Sequence, residues 1–300
     1  MKRLLITGAH GFVAGSVISQ AGPDVELHAV SRGKAFSRSG GLRWHQLDPC
    51  DEGQLARCFD QVRPDSVIHT AALADIDFCE AHQELARMVN AGLTQTLAGL
   101  CARLGAKLVH CSTDTVFDGE HGPYREEDSP RPVNFYARTK VESENIVLQS
   151  GTSAVIARLA VVVGLPILGA GNSFLSRMIP SLKAGREIYV PPNEVRTPID
   201  VITVGQALLE LAASAHTGIF HLAGNDRLNR LDMTRRIAAR LGFPISLIVS
   251  RDPGGIPGRA SRPRDVSLDN SKARRELKTP MCSFDEGLAL ILQTAEQSTA

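Results

Sequence analysis

Neither sign of charge dominates this chain of 300 residues: 33 lysines and arginines face 32 aspartates and glutamates. Such a balance offers no overall field for nucleic acid or an anionic membrane, so a small molecule is the default partner. Long apolar runs are missing too. No stretch approaches the roughly 18 residues of a membrane span, and Met1-Lys2-Arg3 leads into a short apolar strand rather than a secretory leader. A cytoplasmic protein, neither exported nor embedded, is expected. The six cysteines (Cys50, Cys58, Cys79, Cys101, Cys111, Cys282) form no Cys-x-x-Cys pair, and the histidines form no cluster at metal spacing. They read as reduced, mostly buried thiols, and no metal is expected. Repeats and low-complexity tails are also lacking. What the chain has is core: 43% hydrophobic content, enough for one large or two moderate domains.

Taken in order, strand-like and helix-like stretches alternate. Residues 4–6, then Thr7-Gly8-Ala9-His10-Gly11-Phe12-Val13-Ala14-Gly15, read as a buried strand, a tight glycine turn and a helix with Val13, Val17 and Ile18 inward. Here Gly8 makes the bend, Gly11 lets the backbone approach a pyrophosphate, and the small Ala14 permits close packing of helix on strand. The helix N-terminus would meet the phosphates with free N–H groups, so Gly8, Gly11, Phe12 and Val13 are candidate cofactor contacts. The plain alternative is a glycine turn without a ligand.

A second strand over 26–30 ends in Ser31-Arg32-Gly33-Lys34. An acidic residue there would suit the ribose of NAD, whereas arginine suits the 2′-phosphate of NADP, so NADP(H) is expected over NAD(H). Solvated loop charges are the alternative. After a third strand over 44–47, Asp48-Pro49-Cys50-Asp51 opens a helix with Asp48 as its expected N-cap, and Asp48 is also a candidate for the adenine edge. A fourth strand over 66–69 continues into Thr70-Ala71-Ala72-Leu73. Ala71 and Ala72 are small enough to let a ligand close in at the crevice of a parallel sheet, and His69 reads as structural. A single helix is expected over 84–104, with Asn90 inside it as either an exposed residue or a buried one with a partner.

The fifth strand, 107–111, delivers Ser112-Thr113-Asp114-Thr115-Val116-Phe117-Asp118-Gly119, where Asp118-Gly119 reads as a turn. The apolar run 154–163 predicts a sixth strand buried on both faces. Helices follow Asn172-Ser173-Phe174 and Arg196-Thr197-Pro198-Ile199-Asp200, residues 218–222 form a last strand, and the Pro/Gly-rich 252–259 is loop. The fold class is therefore α/β: a doubly wound parallel sheet (Rossmann) over 1–165 and a smaller C-terminal substrate lobe over 166–300, with parts of 196–222 returning to the sheet.

Tyr136-Ala137-Arg138-Thr139-Lys140 sets a tyrosine and a lysine one turn apart on one helix face. The ammonium is expected to pull the phenol down from about 10 toward neutrality, readying it to exchange a proton with a carbonyl oxygen. Taken alone the spacing is common.

The Ser112 to Gly119 stretch, Pro123-Tyr124-Arg125-Glu126, and Asn134-Phe135-Tyr136 with Lys140 together resemble the extended short-chain dehydrogenase/reductase superfamily. Within it the chain is similar to the dTDP-4-dehydrorhamnose reductase branch, as are Ala71 to Glu80 and the run from Arg262-Pro263-Arg264 to Lys272. The resemblance covers effectively the whole chain. It implies hydride transfer between nicotinamide C4 and a carbonyl carbon of a nucleotide-activated sugar. Tyr136 would donate the proton. Lys140 would lower its pKa and hold the nicotinamide ribose, and Thr113 would offer the substrate oxygen a second hydroxyl. Asn172, Arg196, Arg259 and Arg262 are candidate substrate contacts; Arg259, Arg262 and Arg264 either grip a diphosphate or solvate a loop. Two positions depart from the branch, which commonly has tyrosine at Thr115 and tryptophan at Val161, and that leaves the sugar open. The branch's acidic, metal-linked dimer contact is not found, so no metal is assigned and a homodimer stays open. Competing readings are an epimerase that retains its cofactor and a non-catalytic NADP-binding subunit similar to the beta subunit of methionine adenosyltransferase. A dehydratase is disfavoured, because Thr113 is followed by Asp114-Thr115 rather than an Asp-Glu pair.

Overall fold

The computed structural model describes residues 1–35, 41–168, 173–252 and 258–299. β1 (Lys2–Thr7) runs into α1 (Phe12–Gln20), β2 (Val25–Ser31) and β3 (Leu42–Gln46), then α2 (Glu52–Val62) and β4 (Ser66–His69). Next come α3 (Ile76–Ala81), α4 (Gln83–Arg87), α5 (Leu93–Leu104), β5 (Lys107–Thr113), α6 (Phe135–Gln149) and β6 (Ala154–Leu159). The seven-stranded sheet has the order β11-β6-β5-β4-β1-β2-β3, where β11 is Gly218–Leu222, and every pairing in it is parallel. From β1 the chain moves outward through β2 and β3, then crosses back to β4. That reversal opens a crevice at the carboxyl ends of β1 and β4, the place where open α/β sheets bind ligands. The expected doubly wound α/β sheet is present.

Strand alternation divides the core. Leu4 and Ile6 face α1 and α8 (Val201–Ala213), while Leu5 between them joins Leu55 and Phe59 of α2 and Leu97 of α5 on the opposite face. Each such fully buried side chain contributes about 1.5–3 kcal/mol relative to exposure. A third apolar cluster lies away from the sheet. It gathers Leu175 and Met178 of α7 (Phe174–Lys183), Val190 of β8 (Ile188–Val190), Ile237 of α9 (Arg230–Arg240), Ile248 of β13 (Ile248–Ser250) and Leu288 of α11 (Phe284–Thr299). Short pairs complete the C-terminal half: β7 (Val162–Val163) with β10 (Ile199–Asp200), and β9 (Val195–Arg196) with β12 (Leu228–Asn229). Among the described residues, no helix is long and apolar enough to cross a membrane.

Three expectations about elements are corrected. The run 154–163 is not one strand. β6 ends at Leu159, and Val162–Val163 pairs with β10 instead, so an apolar run is shared between two sheets. The N-cap of α2 is Asp51, whose carboxylate accepts from Gln54 N at 2.9 Å, while Asp48 accepts from Cys50 N at 3.0 Å in the preceding turn. Two acidic residues three apart both suit a cap, and the helix takes the later one. Residues 84–104 are not one regular helix either. A π turn over Met88–Gly92 joins α4 to α5 and carries Asn90, which is buried and bonded through its side chain to Leu73 N, Leu73 O and Thr139 Oγ1. The cysteines are free, with Cys58, Cys79 and Cys101 buried and the other three half-buried.

Candidate active site

The crevice is built on the glycine turn. Gly8 has φ +71°, and a Cβ there would lie 2.7 Å from Ala71 N, so the backbones after β1 and β4 meet at a distance only glycine allows. Gly11 N–H donates to Gly8 O at 2.7 Å, and Gly11 precedes α1 without a side-chain cap, leaving the first-turn N–H groups directed at the crevice. A cleft of about 410 Å³ results, lined by Gly8, Gly11, Ser31, Arg32, Asp48, Ala71 and Ala72 among others. Phe12 and Val13 begin α1 and are half-buried. The cradle and the bare helix N-terminus fit the pyrophosphate of a dinucleotide, and Arg32 lies on the wall of the same cleft.

His10, Thr70, Leu73 and Phe78 also line the cleft and were not singled out from the sequence. His10 had a signal, its place inside the glycine turn. Its Nδ1 lies 2.5 Å from Ser31 Oγ, its Nε2 lies 3.0 Å from Lys34 O, and its ring meets Trp44 edge-on at 4.9 Å.

Beside the cleft, α6 starts at its N-cap Asn134, which accepts from Ala137 N at 2.9 Å and donates to Ser261 O at 3.0 Å. The cap fixes which face of α6 carries Tyr136 and Lys140, and both are buried. Tyr136 lies near the Thr113 side chain at the end of β5, whose hydroxyl favours the phenolate. Thr113 Oγ1 lies 3.2 Å from Asp114 Oδ1 and 3.0 Å from Thr115 Oγ1. Lys140 Nζ donates to Cys111 O at 2.7 Å and meets His110 Nε2 at 3.2 Å. Thr113, Tyr136 and Lys140 are thus brought together. Their electrostatics differ from the expectation. Burial pushes the Tyr136 phenol up rather than toward neutrality and lowers Lys140 to about 8. Desolvation of both groups outweighs the attraction expected from one helix turn's spacing.

The arginines are already engaged. Arg196 is buried and donates to Val195 O, Arg264 O and Pro263 O at 2.7–3.2 Å, with Asp114 and Glu194 at 3.9 and 3.8 Å. Arg259 pairs with Glu194 at 3.2 Å, and Arg262 holds Asp77 of α3 through two bonds of 2.8 and 2.9 Å. Arg230, unread in the sequence, stacks over Phe174 at 5.1 Å and lies 3.9 Å from Glu194. Asp114 is buried, and its Oδ2 has no hydrogen-bond partner among the described residues; burial raises it to about 6 against the pull of Arg196. Asn172 lies outside the described residues. Val161 packs beside the third apolar cluster.

A glycine cradle at the reversal of a parallel sheet, with threonine, tyrosine and lysine gathered at the neighbouring strand end, defines a dinucleotide-binding protein of the short-chain dehydrogenase/reductase type. The model of the RmlD substrate binding domain family matches residues 1–297, and the chain belongs to that family. It is 30% identical to a probable low-salt glycan biosynthesis reductase of Haloferax volcanii, over 95% of this chain and 96% of that protein. The methionine adenosyltransferase 2 subunit beta of Bos taurus is also 30% identical, over 90% of this chain and 81% of its own length. In fold, the chain matches the dTDP-4-dehydrorhamnose reductase of Bacillus anthracis, solved in complex with NADP, with a TM-score of 0.87. That match covers 98% of this chain and 99% of that one at 24% identity.

Proposed function

We propose that this protein reduces the keto group of a nucleotide-activated sugar, as a dTDP-4-dehydrorhamnose reductase does, using NADP(H) and the Tyr136 proton. The gathering of Thr113, Tyr136 and Lys140 beside the glycine-turn cleft carries the reading. Gly8, Gly11 and the start of α1 hold the pyrophosphate, Ala71 and Ala72 leave room for the ring portion, and Arg32 with Ser31 takes the 2′-phosphate, which favours NADP over NAD. When bound, the cofactor supplies the hydride. The chain's own part is proton transfer and charge. Tyr136 and Thr113 present two hydroxyls to the carbonyl oxygen, where negative charge develops as the carbon is reduced. A phenol held high keeps its proton until that charge appears, then passes it on. The Lys140 ammonium stabilises the phenolate left behind. Residues 166–300, apart from the parts of 196–222 that return to the sheet, form the substrate lobe, where Arg196 and Arg259 around Glu194 face the nucleotide end. Thr115 and Val161 leave the sugar itself open.

A panel of 4-keto nucleotide sugars, followed at the NADPH absorbance band, tests this. A reductase oxidises one equivalent per turnover and an epimerase none. Tyr136→Phe is expected to lower turnover by a factor on the order of a hundred while NADP binding stays nearly unchanged; full activity in that variant sinks the assignment. The 30% identity to the methionine adenosyltransferase beta subunit favours a second reading, a cofactor-binding regulatory subunit. Bound NADP, no turnover of any keto sugar and co-purification with a larger enzyme would support it.

A further inference from the structure

Beneath Lys140 the sheet buries two imidazoles to which the proposed reaction gives no task. His69 ends β4, and His110 sits at the paired position of β5, their rings 5.2 Å apart and both closed to solvent. His69 is satisfied at both nitrogens, with Thr7 Oγ1 at 2.7 Å from Nδ1 and Thr94 Oγ1 at 3.1 Å from Nε2. His110 is not. Its Nε2 lies 3.2 Å from Lys140 Nζ, and its buried Nδ1 has no hydrogen-bond partner among the described residues.

An ammonium can only donate. Facing Lys140, the Nε2 of a neutral His110 is therefore the bare nitrogen, and the ring proton sits on Nδ1. That tautomer buries an N–H with nothing to bind, which folded proteins seldom keep. The other tautomer would set an N–H against the ammonium. The unmade bond on one side of the ring is thus the counterpart of the bond made on the other. Among the described residues no carboxylate takes that place. Glu144, one turn further along α6, is held by Arg158 and Ser112. We propose that His110 is a positioning residue that acts through Lys140: its Nε2 accepts from the buried ammonium and keeps it charged and fixed at the end of β5. The proposal rests on the reductase reading only for its kinetic consequence.

The groups acting on this ammonium are His110 and Cys111 on β5, His69 on β4 and Glu144 on α6, with Tyr136 one turn away on the same helix. Burial brings Lys140 down to about 8, with Cys111 and Glu144 opposing. Burial and the Lys140 charge hold both imidazoles neutral, and burial lifts the Cys111 thiol to about 12. Lys140 is the member of the group that titrates near neutral pH.

The test uses the full chain. In His110→Phe the acceptor is gone, so Lys140 gives up its proton at lower pH. Its side-chain ¹³C titration, and with a reducible keto sugar the alkaline limb of kcat/KM, are expected to move about one pH unit downward. In His110→Gln the amide oxygen accepts in place of Nε2, and both titrations return toward those of the unmodified protein. In the unmodified protein, ¹⁵N NMR is expected to find the His110 proton on Nδ1. An unshifted Lys140 titration in folded His110→Phe, or a proton on Nε2 in the unmodified protein, overturns the proposal, and the second measurement does not depend on the variant folding. Failure to turn over any keto sugar, with the Lys140 titration shifting as expected, would remove the reductase reading and leave the role of His110 standing.

Discussion

Lys140 and Arg158 are both cations buried to 2% exposure, and they are treated in opposite ways. Arg158 is neutralised. It bonds both oxygens of Glu144 at 3.0 and 2.8 Å and lies over the Phe117 ring at 5.1 Å, while Ser112 donates to the same carboxylate at 2.5 Å. Among the described residues Lys140 hydrogen-bonds to neutral acceptors, Cys111 O and His110 Nε2, while Glu144 acts on it through space and is held by Arg158. A buried charge with a matched partner locks β5, α6 and β6 together, whereas one left without a counter-ion costs stability and keeps a shifted pKa. The pairing, more than the burial, separates the structural cation from the one proposed for the chemistry.

Removing Arg158 should have the largest effect on stability. Arg158→Met strands the Glu144 carboxylate, and the denaturant midpoint at pH 7 should fall by the equivalent of about 3–5 kcal/mol. Adding Glu144→Leu should recover most of that loss; a single variant close to the unmodified protein would break the comparison. Lys140→Met should act with the opposite sign, raising stability at pH 7 by on the order of 1–3 kcal/mol while abolishing turnover. Its sign carries a pH signature. The folded chain releases this proton near pH 8 and the unfolded chain near 10.5, so stability of the unmodified protein rises with pH across that window. The advantage of Lys140→Met should shrink over the same range, and a constant difference would contradict it. The smallest effect belongs to an exposed pair, Arg87 with Glu142 at 2.9 Å, where Arg87→Ala should cost under about 1 kcal/mol by the same midpoint assay.

Most of the sheet and the cleft was legible because both depend on local rules. Gly8 and Gly11 mark the turn, Ala71 and Ala72 mark the crevice wall, and the short apolar runs mark the strands that pair in parallel. What stayed hidden depends on distant partners. Nothing near residue 159 says that the run to Val163 leaves one sheet for another, since the strand that pairs with Val162–Val163 lies at Ile199–Asp200. Asp48 and Asp51 both satisfy the local rule for a cap. At the site, the Tyr136 and Lys140 spacing was readable, but not that desolvation would outweigh their attraction, because burial is a property of the whole fold. Arg259 and Arg262 read as one cluster by proximity in sequence, yet their carboxylate partners, Glu194 and Asp77, are far apart in the chain.

The π turn over Met88–Gly92 also restricts how the chain can vary. Leu93 N–H reaches back to Met88 O, so this turn holds one residue more than a regular one. Asn90 O accepts from Thr94 Oγ1 at 2.6 Å and from Ser143 Oγ at 2.9 Å, while its side chain grips Leu73 beyond β4. Deleting one residue here would close the widened turn into a regular one with both flanks near their present register, because the turn itself absorbs the extra residue. Asn90, inside the turn, would be drawn away from Leu73 and Thr139. Insertions and deletions that a surface loop absorbs are barred from this stretch, so residue count, and not only residue type, ties the cofactor crevice to the helix of Tyr136.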